Sequence, residues 1–355
     1  MSAGLAGANF LTLWKQAGRE DVVRAAAQMP PFYDRRTRAV IVAQPELCRQ
    51  ILSEPNVHPA PAMETYRDMP GALAPLFTST AFVFESIPLS MKRAEHAAYR
   101  RRAAEFLARR RGALESWRAT QLPGFFDRLE QPGRVELVSE VLKPMVRSLI
   151  AEVADVPLPD SIELESASLV FDKSLALSRR QALEAHLQQL IAHARAHVGP
   201  DADADELGLR VGLIVVGKDA TMGSFGESLY DLISREPVMQ WRDVAFPQSP
   251  HRTALPFVER IAEGPVTLAG VEYPAGTRFR VLLIAYTLEP AETHHRLFGA
   301  GAHACLGRPL SVDVWQAFAA RLKALTTRVR VINYQLALDE YVFTVPRAFE
   351  VEISR

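Results

Sequence analysis

Residues 298–307 read Phe-Gly-Ala-Gly-Ala-His-Ala-Cys-Leu-Gly and gather the side chains best suited to chemistry. Cys305 is one of two cysteines in the chain and can supply a thiolate. Gly299, Gly301 and Gly307 allow tight turns and let the backbone approach a flat partner closely. A helical pattern begins near Pro309, so Cys305 is expected just ahead of a helix N-terminus. There the dipole and free N–H groups favour the thiolate and tune a bound metal. One thiolate is too few ligands for zinc or an iron–sulfur cluster. It is enough for heme iron, because a porphyrin supplies four equatorial nitrogens. The competing reading is a Gly-rich surface loop around a structural cysteine. With Gly at about 7% of residues, three fixed glycines coincide in roughly 3 of 10,000 decapeptides, and Phe298, His303 and Cys305 must coincide as well.

The decapeptide resembles the heme-binding loop of the cytochrome P-450 family at its fixed positions. His96-Ala-Ala-Tyr-Arg100, in a basic helical stretch, resembles the family segment whose His and Arg hold a heme propionate. Arg260, in the run VERIA before PVTLAGVEYPAG, is similar to a further propionate-binding arginine. The resemblance implies heme b (iron protoporphyrin IX), with Cys305 as axial ligand and Phe298, Gly299, Gly301 and Gly307 shaping its loop. It also implies that His96, Arg100, Arg260 and His303 serve the two propionates, a sensible charge balance. AVIVAQPELCRQIL and VELVSEVLKPMVRSLIAEVADVP resemble the family's N-terminal strand–helix and mid-chain helices. Cys48, on a helical face of the first, is read as core filler.

Three departures bear on the reaction. The family's central helix carries Ala/Gly-Gly-x-acid-Thr, and here the stretch is Val216-Gly217-Lys218-Asp219-Ala220-Thr221. The acid is kept as Asp219, but Ala220 holds the position of the oxygen-activating threonine. Thr221 lies about 100° further round a helix and cannot simply replace it. The family's Glu-x-x-Arg helix is absent, and Pro250 argues against a helix interior at 248–251. The chain is also short, with LEPAETHHRLFGAG compressing a longer meander. Adjacent His294 and His295 are expected to point apart rather than bind metal. The runs Arg100–Arg102 and Arg109–Arg111 are either a solvated face paired with Glu105 and Glu115 or a docking face for an acidic electron-transfer protein.

The elements that must position these residues are mostly helical. Residues 39–43 suit a strand, Pro45 a helix start, and 88–118 a helix by their Ala, Arg and Glu content. Residues 134–153 place apolar side chains at steps of four, with a break or bend near Pro144. Residues 180–198 repeat that theme. DADADE at 201–206 reads as a loop, followed by an apolar helix over 207–232 interrupted by Lys218 and Asp219. From Phe246 to Pro274 and just beyond, short alternating runs between Pro and Gly read as strands. A last helix covers 309–324. The expected fold is α+β, mainly helical, P-450-like with small sheets, in a single domain over 1–355.

The formal charges cancel at 41 basic and 41 acidic residues, so no global field favours nucleic acid or anionic membrane. Two dissimilar cysteines build no disulfide framework, and no signal peptide or membrane span is visible. A cytoplasmic protein is expected. The resemblance implies an enzyme, a heme-thiolate monooxygenase acting on a small organic substrate of secondary-metabolite type with a ferredoxin-type electron donor. Ala220 keeps open peroxide-driven oxidation, dehydration, isomerisation or nitrogen-centred bond formation. The missing Glu-x-x-Arg keeps open a non-catalytic binding domain. Substrate contacts are expected near 56–90 and 155–180.

Overall fold

Apolar spacing and proline placement fix most helices, and the computed structural model shows where tertiary pairing overrides them. It describes residues 19–60, 74–88, 91, 93–172, 175–199, 201–337 and 343–355. Helices run over α1 (Arg19–Ala27), α2 (Pro45–Ser53), α3 (Thr78–Glu85), α4 (Arg93–Arg109) and α5 (Arg111–Thr120). They continue with α6 (Lys143–Ala154), α7 (Leu177–Val198), α8 (Ala204–Ile233) and α9 (Arg308–Ala324). Strands are β1 (Phe32–Asp34), β2 (Ala39–Val42), β3 (Val57–Pro59), β4 (Gly133–Glu136), β5 (Met239–Gln240) and β6 (Val258–Ala262). The rest are β7 (Val266–Leu268), β8 (Val271–Tyr273), β9 (Arg278–Val281), β10 (Arg328–Leu336) and β11 (Pro346–Ser354). The architecture is α+β with helices dominant.

Several boundaries differ from expectation for identifiable reasons. The helix expected over 88–118 divides at Arg110, whose guanidinium bonds Glu152 at 2.7 Å and Asp155 at 2.8 Å. The first residues of the 134–153 pattern form β4 instead, because Val135 pairs with Val351 of β11. The bend near Pro144 is a π-helical turn over Val138–Leu142. Pro144 then sits in the first turn of α6, where its missing N–H costs nothing. Half of the DADADE loop is helix: the Asp203 carboxylate accepts from the Glu206 N–H at 2.6 Å and caps α8. Lys218 and Asp219 do not interrupt α8, since their charges meet each other.

The chain groups into two compact units, each of interleaved segments, with boundaries after Pro61, Pro250 and Cys305. In the first unit (through Pro61, and His251–Cys305) one sheet has the order β1-β2-β9-β6-β3, with β2 and β9 parallel and the other pairs antiparallel. Its core joins Val40, Val42, Ile51, Phe279, Val281 and Tyr286. Cys48 is fully buried there, its thiol facing the Val42 carbonyl at 3.3 Å, and burial pushes its pKa up strongly. That is a filler, as expected.

The second unit (Ala62–Pro250 and Leu306–Arg355) is built around α8. Glycines on α8 let neighbours come close: a methyl group on Gly217 would lie 2.8 Å from Ile150 of α6, and on Gly226 2.7 Å from Pro346 of β11. Phe225 of α8 packs edge-on against Trp315 of α9 at 5.1 Å. The four-stranded sheet β4-β11-β10-β5 completes the unit. Residues Val244–Phe257 form neither helix nor strand, so the brace of a Glu-x-x-Arg helix has no element to sit on.

Candidate functional site

The Gly-Cys loop closes on itself in the first unit. A 3-10 segment, Ala291–Phe298, leads into Gly299 (φ +77°) and Gly301 (φ +69°), both in the left-handed region that favours glycine. The Cys305 N–H donates to the Phe298 carbonyl at 2.8 Å, and the Ala304 N–H to Gly301 at 3.2 Å. A methyl group on Gly301 would collide with the Leu52 carbonyl oxygen of α2. The loop is therefore held against α2 by a contact only glycine permits. Gly307 is different: at φ −76° it is the right-handed N-cap of α9, so it makes no glycine-requiring turn. Cys305 is exposed, three positions before the first residue of α9. His303, partly buried, ends the 3-10 turn Gly301–His303. His294 is buried with Nε2 3.1 Å from the Glu289 carbonyl, while His295 is exposed, so the pair does point apart.

Arg260, in the same unit, tests whether an anionic cofactor fits. It lies on β6 opposite Phe279 of β9 and Pro59 of β3 and is 5% exposed. Its guanidinium donates to the Glu259 carbonyl at 2.9 Å, and among the described residues no carboxylate pairs with it. Burial pushes its pKa down to about 10. The neighbouring buried Arg280 shows the usual solution, a 2.6 Å bond to Glu259. A buried cation without a counter-charge is costly unless an anion joins it. Heme propionates are such anions, so the residues present fit the group.

The second unit holds the other candidates. His96 and Arg100 lie one turn apart on the same face of α4. His96 is buried; burial, then the Arg100 charge, lower its pKa. On α8, Leu213, Val216, Gly217, Ala220 and Thr221 are only half-buried, while Ile214, Val215, Lys218, Asp219 and Met222 are buried. Leu213, Val216 and Ala220 recur at three- and four-residue steps and define one open face, while Gly217 beside it is closed off by Ile150 of α6. Ala220 lies within it and Thr221 at its rim. Asp219 is 2% exposed on the flank, its Oδ1 2.5 Å from Lys218 Nζ and its Oδ2 accepting from the Ser168 hydroxyl. Sequence reading missed Ser168, which lies 51 positions away with no pattern linking the two. In the basic runs Arg102 pairs with Asp205, and Arg110 with Glu152 and Asp155. Of the expected substrate-contacting stretches, 61–73, 89–90 and 173–174 lie outside the described residues. Among the described residues no His, Cys, Asp and Glu cluster could hold a metal ion, and no helix is long and apolar enough to cross a membrane.

A closed Gly-Cys loop and a buried arginine that no carboxylate pairs among the described residues, on this fold, are features that a heme-thiolate protein would use. No protein-family model matches the chain. It is 28% identical to the nocardicin C N-oxygenase of Nocardia uniformis subsp. tsuyamanensis, over 63% of this chain and 67% of that one. It is 25% identical to cytochrome P450 FAS1 of Rhodococcoides fascians, over 59% of this chain and 63% of that one. The chain thus spans about two thirds of the length of these relatives. The CYP116B5 heme domain of Acinetobacter radioresistens superposes with a TM-score of 0.78 at 16% identity, covering 99% of both chains. P450BioI, solved with a fatty-acyl-ligated acyl carrier protein, superposes at 0.76 and 15% identity, covering 97% of this chain and 100% of that one. The chain therefore has the cytochrome P450 fold and resembles enzymes of that family as a shortened and divergent relative.

Proposed function

We propose that the chain is a single heme-thiolate domain that binds heme b and oxygenates a small organic substrate of secondary-metabolite type. The observation that carries the reading is the exposed Cys305 on a loop closed by its own N–H and seated on α2 through Gly301. Cys305 would hold the iron, and His96, Arg100, Arg260 and His303 the propionates. Bound in this way, heme supplies thiolate-assisted oxygen activation. Asp219 is assigned the handling of protons. Ala220 leaves room on the open face of α8 for a substrate group or a water to complete a relay, with Thr221 at the rim. A relative that is an N-oxygenase supports the secondary-metabolite class. The exposed Arg101 and Arg109 suit a ferredoxin-type donor. Two cysteines far apart in the chain and in dissimilar surroundings support a reducing, cytoplasmic setting.

Ala220 also favours a second reading, in which the oxidant is peroxide or the reaction is a dehydration, isomerisation or nitrogen-centred bond formation. Those reactions need no hydroxyl at that position. Turnover of added organic substrates with a ferredoxin and its reductase, compared with turnover on peroxide, separates the two. Support by the ferredoxin system alone is the expected result; support by peroxide alone selects the second reading.

A further inference from the structure

Asp219 and Ala220 are one helical step apart, about 100° round α8. The carboxylate therefore sits on the flank of α8, away from the centre of its open face. Two bonds keep it there. One oxygen is taken by Lys218, which rides on the same helix, and the other by the Ser168 hydroxyl, which does not. Among the described residues, Ser168 is the one group outside α8 bonded to this carboxylate.

Ser168 belongs to the 3-10 turn Ala167–Phe171, which starts from Ser166. The Leu169 N–H donates to the Ser166 carbonyl at 2.9 Å and holds the two serines in one turn. The Ser166 hydroxyl donates to Glu163 at 2.5 Å and lies 3.0 Å from Nδ1 of His186 on α7. The same ring nitrogen is 3.1 Å from the Glu163 carboxylate. Glu165, between them, is bonded to Lys143 of α6 at 3.0 Å. Burial alone would raise the Glu165 carboxyl, but the charges of Lys218 and Lys143 outweigh it and hold its pKa below the ordinary value. Residues 163–168 thus touch α6, α7 and α8 through polar side chains, and the chain of bonds ends on Asp219.

We propose that Ser168 is a positioning residue for Asp219, and that segment 163–168 makes the hold on that carboxylate depend on the position of α7. A displacement of α7 that draws the segment away removes the Ser168 restraint and frees Asp219 to turn toward the face of Ala220. The catalytic meaning of this coupling rests on the proton role assigned to Asp219 above; the coupling itself does not.

Carboxyl-carbon NMR of the full-length protein, labelled at aspartate, tests it. The spectra are taken on the diamagnetic ferrous carbonyl complex where heme is bound, and Asp219→Asn assigns the resonance. Ser168→Ala should displace the Asp219 resonance and Ser168→Thr, which keeps the hydroxyl, should leave it near its original position. His186→Ala, which touches no atom of Asp219, should displace it in the same direction. An unmoved resonance in Ser168→Ala overturns the positioning role, and an unmoved one in His186→Ala overturns the transmission through 163–168. Failure to bind heme would defeat the functional reading and leave this measurement standing.

Discussion

Arg260 meets two opposed demands, because a buried guanidinium that no carboxylate pairs among the described residues burdens the fold yet suits an anion. Replacing it with glutamine should therefore separate stability from cofactor retention. We expect Arg260→Gln to weaken heme binding by roughly 10- to 100-fold, the worth of one charged hydrogen bond of about 1.5–3 kcal/mol. The urea midpoint of the heme-free protein should not fall. Heme titration alongside unfolding checks both; a variant that loses stability but keeps its heme affinity would show Arg260 to be structural. Cys305, His96 and Arg260 stand out in the sequence as candidates because each lies in a short local pattern. The contact of Ser168 with Asp219 is not legible there, since a hydroxyl brought in by another element leaves no spacing to read. Gly307 shows the converse: its type matched the loop, while its backbone needs no glycine.

At the scale of the element, α8 combines a packed side that tolerates no added atom with a face that does. Gly226→Ala places a methyl group 2.7 Å from Pro346 and 3.3 Å from Leu142. Overpacking of this kind costs about 1–3 kcal/mol, and the gain of about 1 kcal/mol in helix propensity offsets it only in part. Ala220→Thr, on the half-buried face, should stay within about 1 kcal/mol of the parent, the helix propensity of threonine being its main cost. Denaturant unfolding of the two variants gives the comparison, and an equal loss in both would mean that the face at Ala220 is not open. The helix itself was readable from its apolar run. Its start was not, because the Asp203 cap lies inside an acidic stretch that reads equally well as loop. β4 was lost to a helical pattern for the opposite reason: its partner, β11, is more than 200 positions away.

For the whole molecule, cofactor binding and stability are linked through buried titrating groups. In the heme-free fold burial, then the Arg100 charge, hold the His96 pKa below its ordinary value of about 6.5. The unfolded chain then binds more protons in the window below that value. The His96 contribution to stability is complete above about pH 6.5 and is lost as pH falls toward the folded value. Replacing His96 with asparagine should flatten the fall in unfolding free energy between about pH 7 and pH 5. A propionate beside His96 would favour its charged form, so heme should flatten the same slope in the parent protein. An unchanged slope in His96→Asn would remove His96 from the account. Length and neutral charge gave no hint of two interleaved units, because the parallel pairing of β2 with β9 joins residues far apart in the chain.

The central claim is that Cys305 binds heme iron as a thiolate, and the spectrum of the reduced carbonyl complex tests it most directly. The purified protein should show the strongly red-shifted Soret band of thiolate-ligated heme, and Cys305→Ser should abolish it. A complex without that band, or a band that persists in Cys305→Ser, would contradict the account.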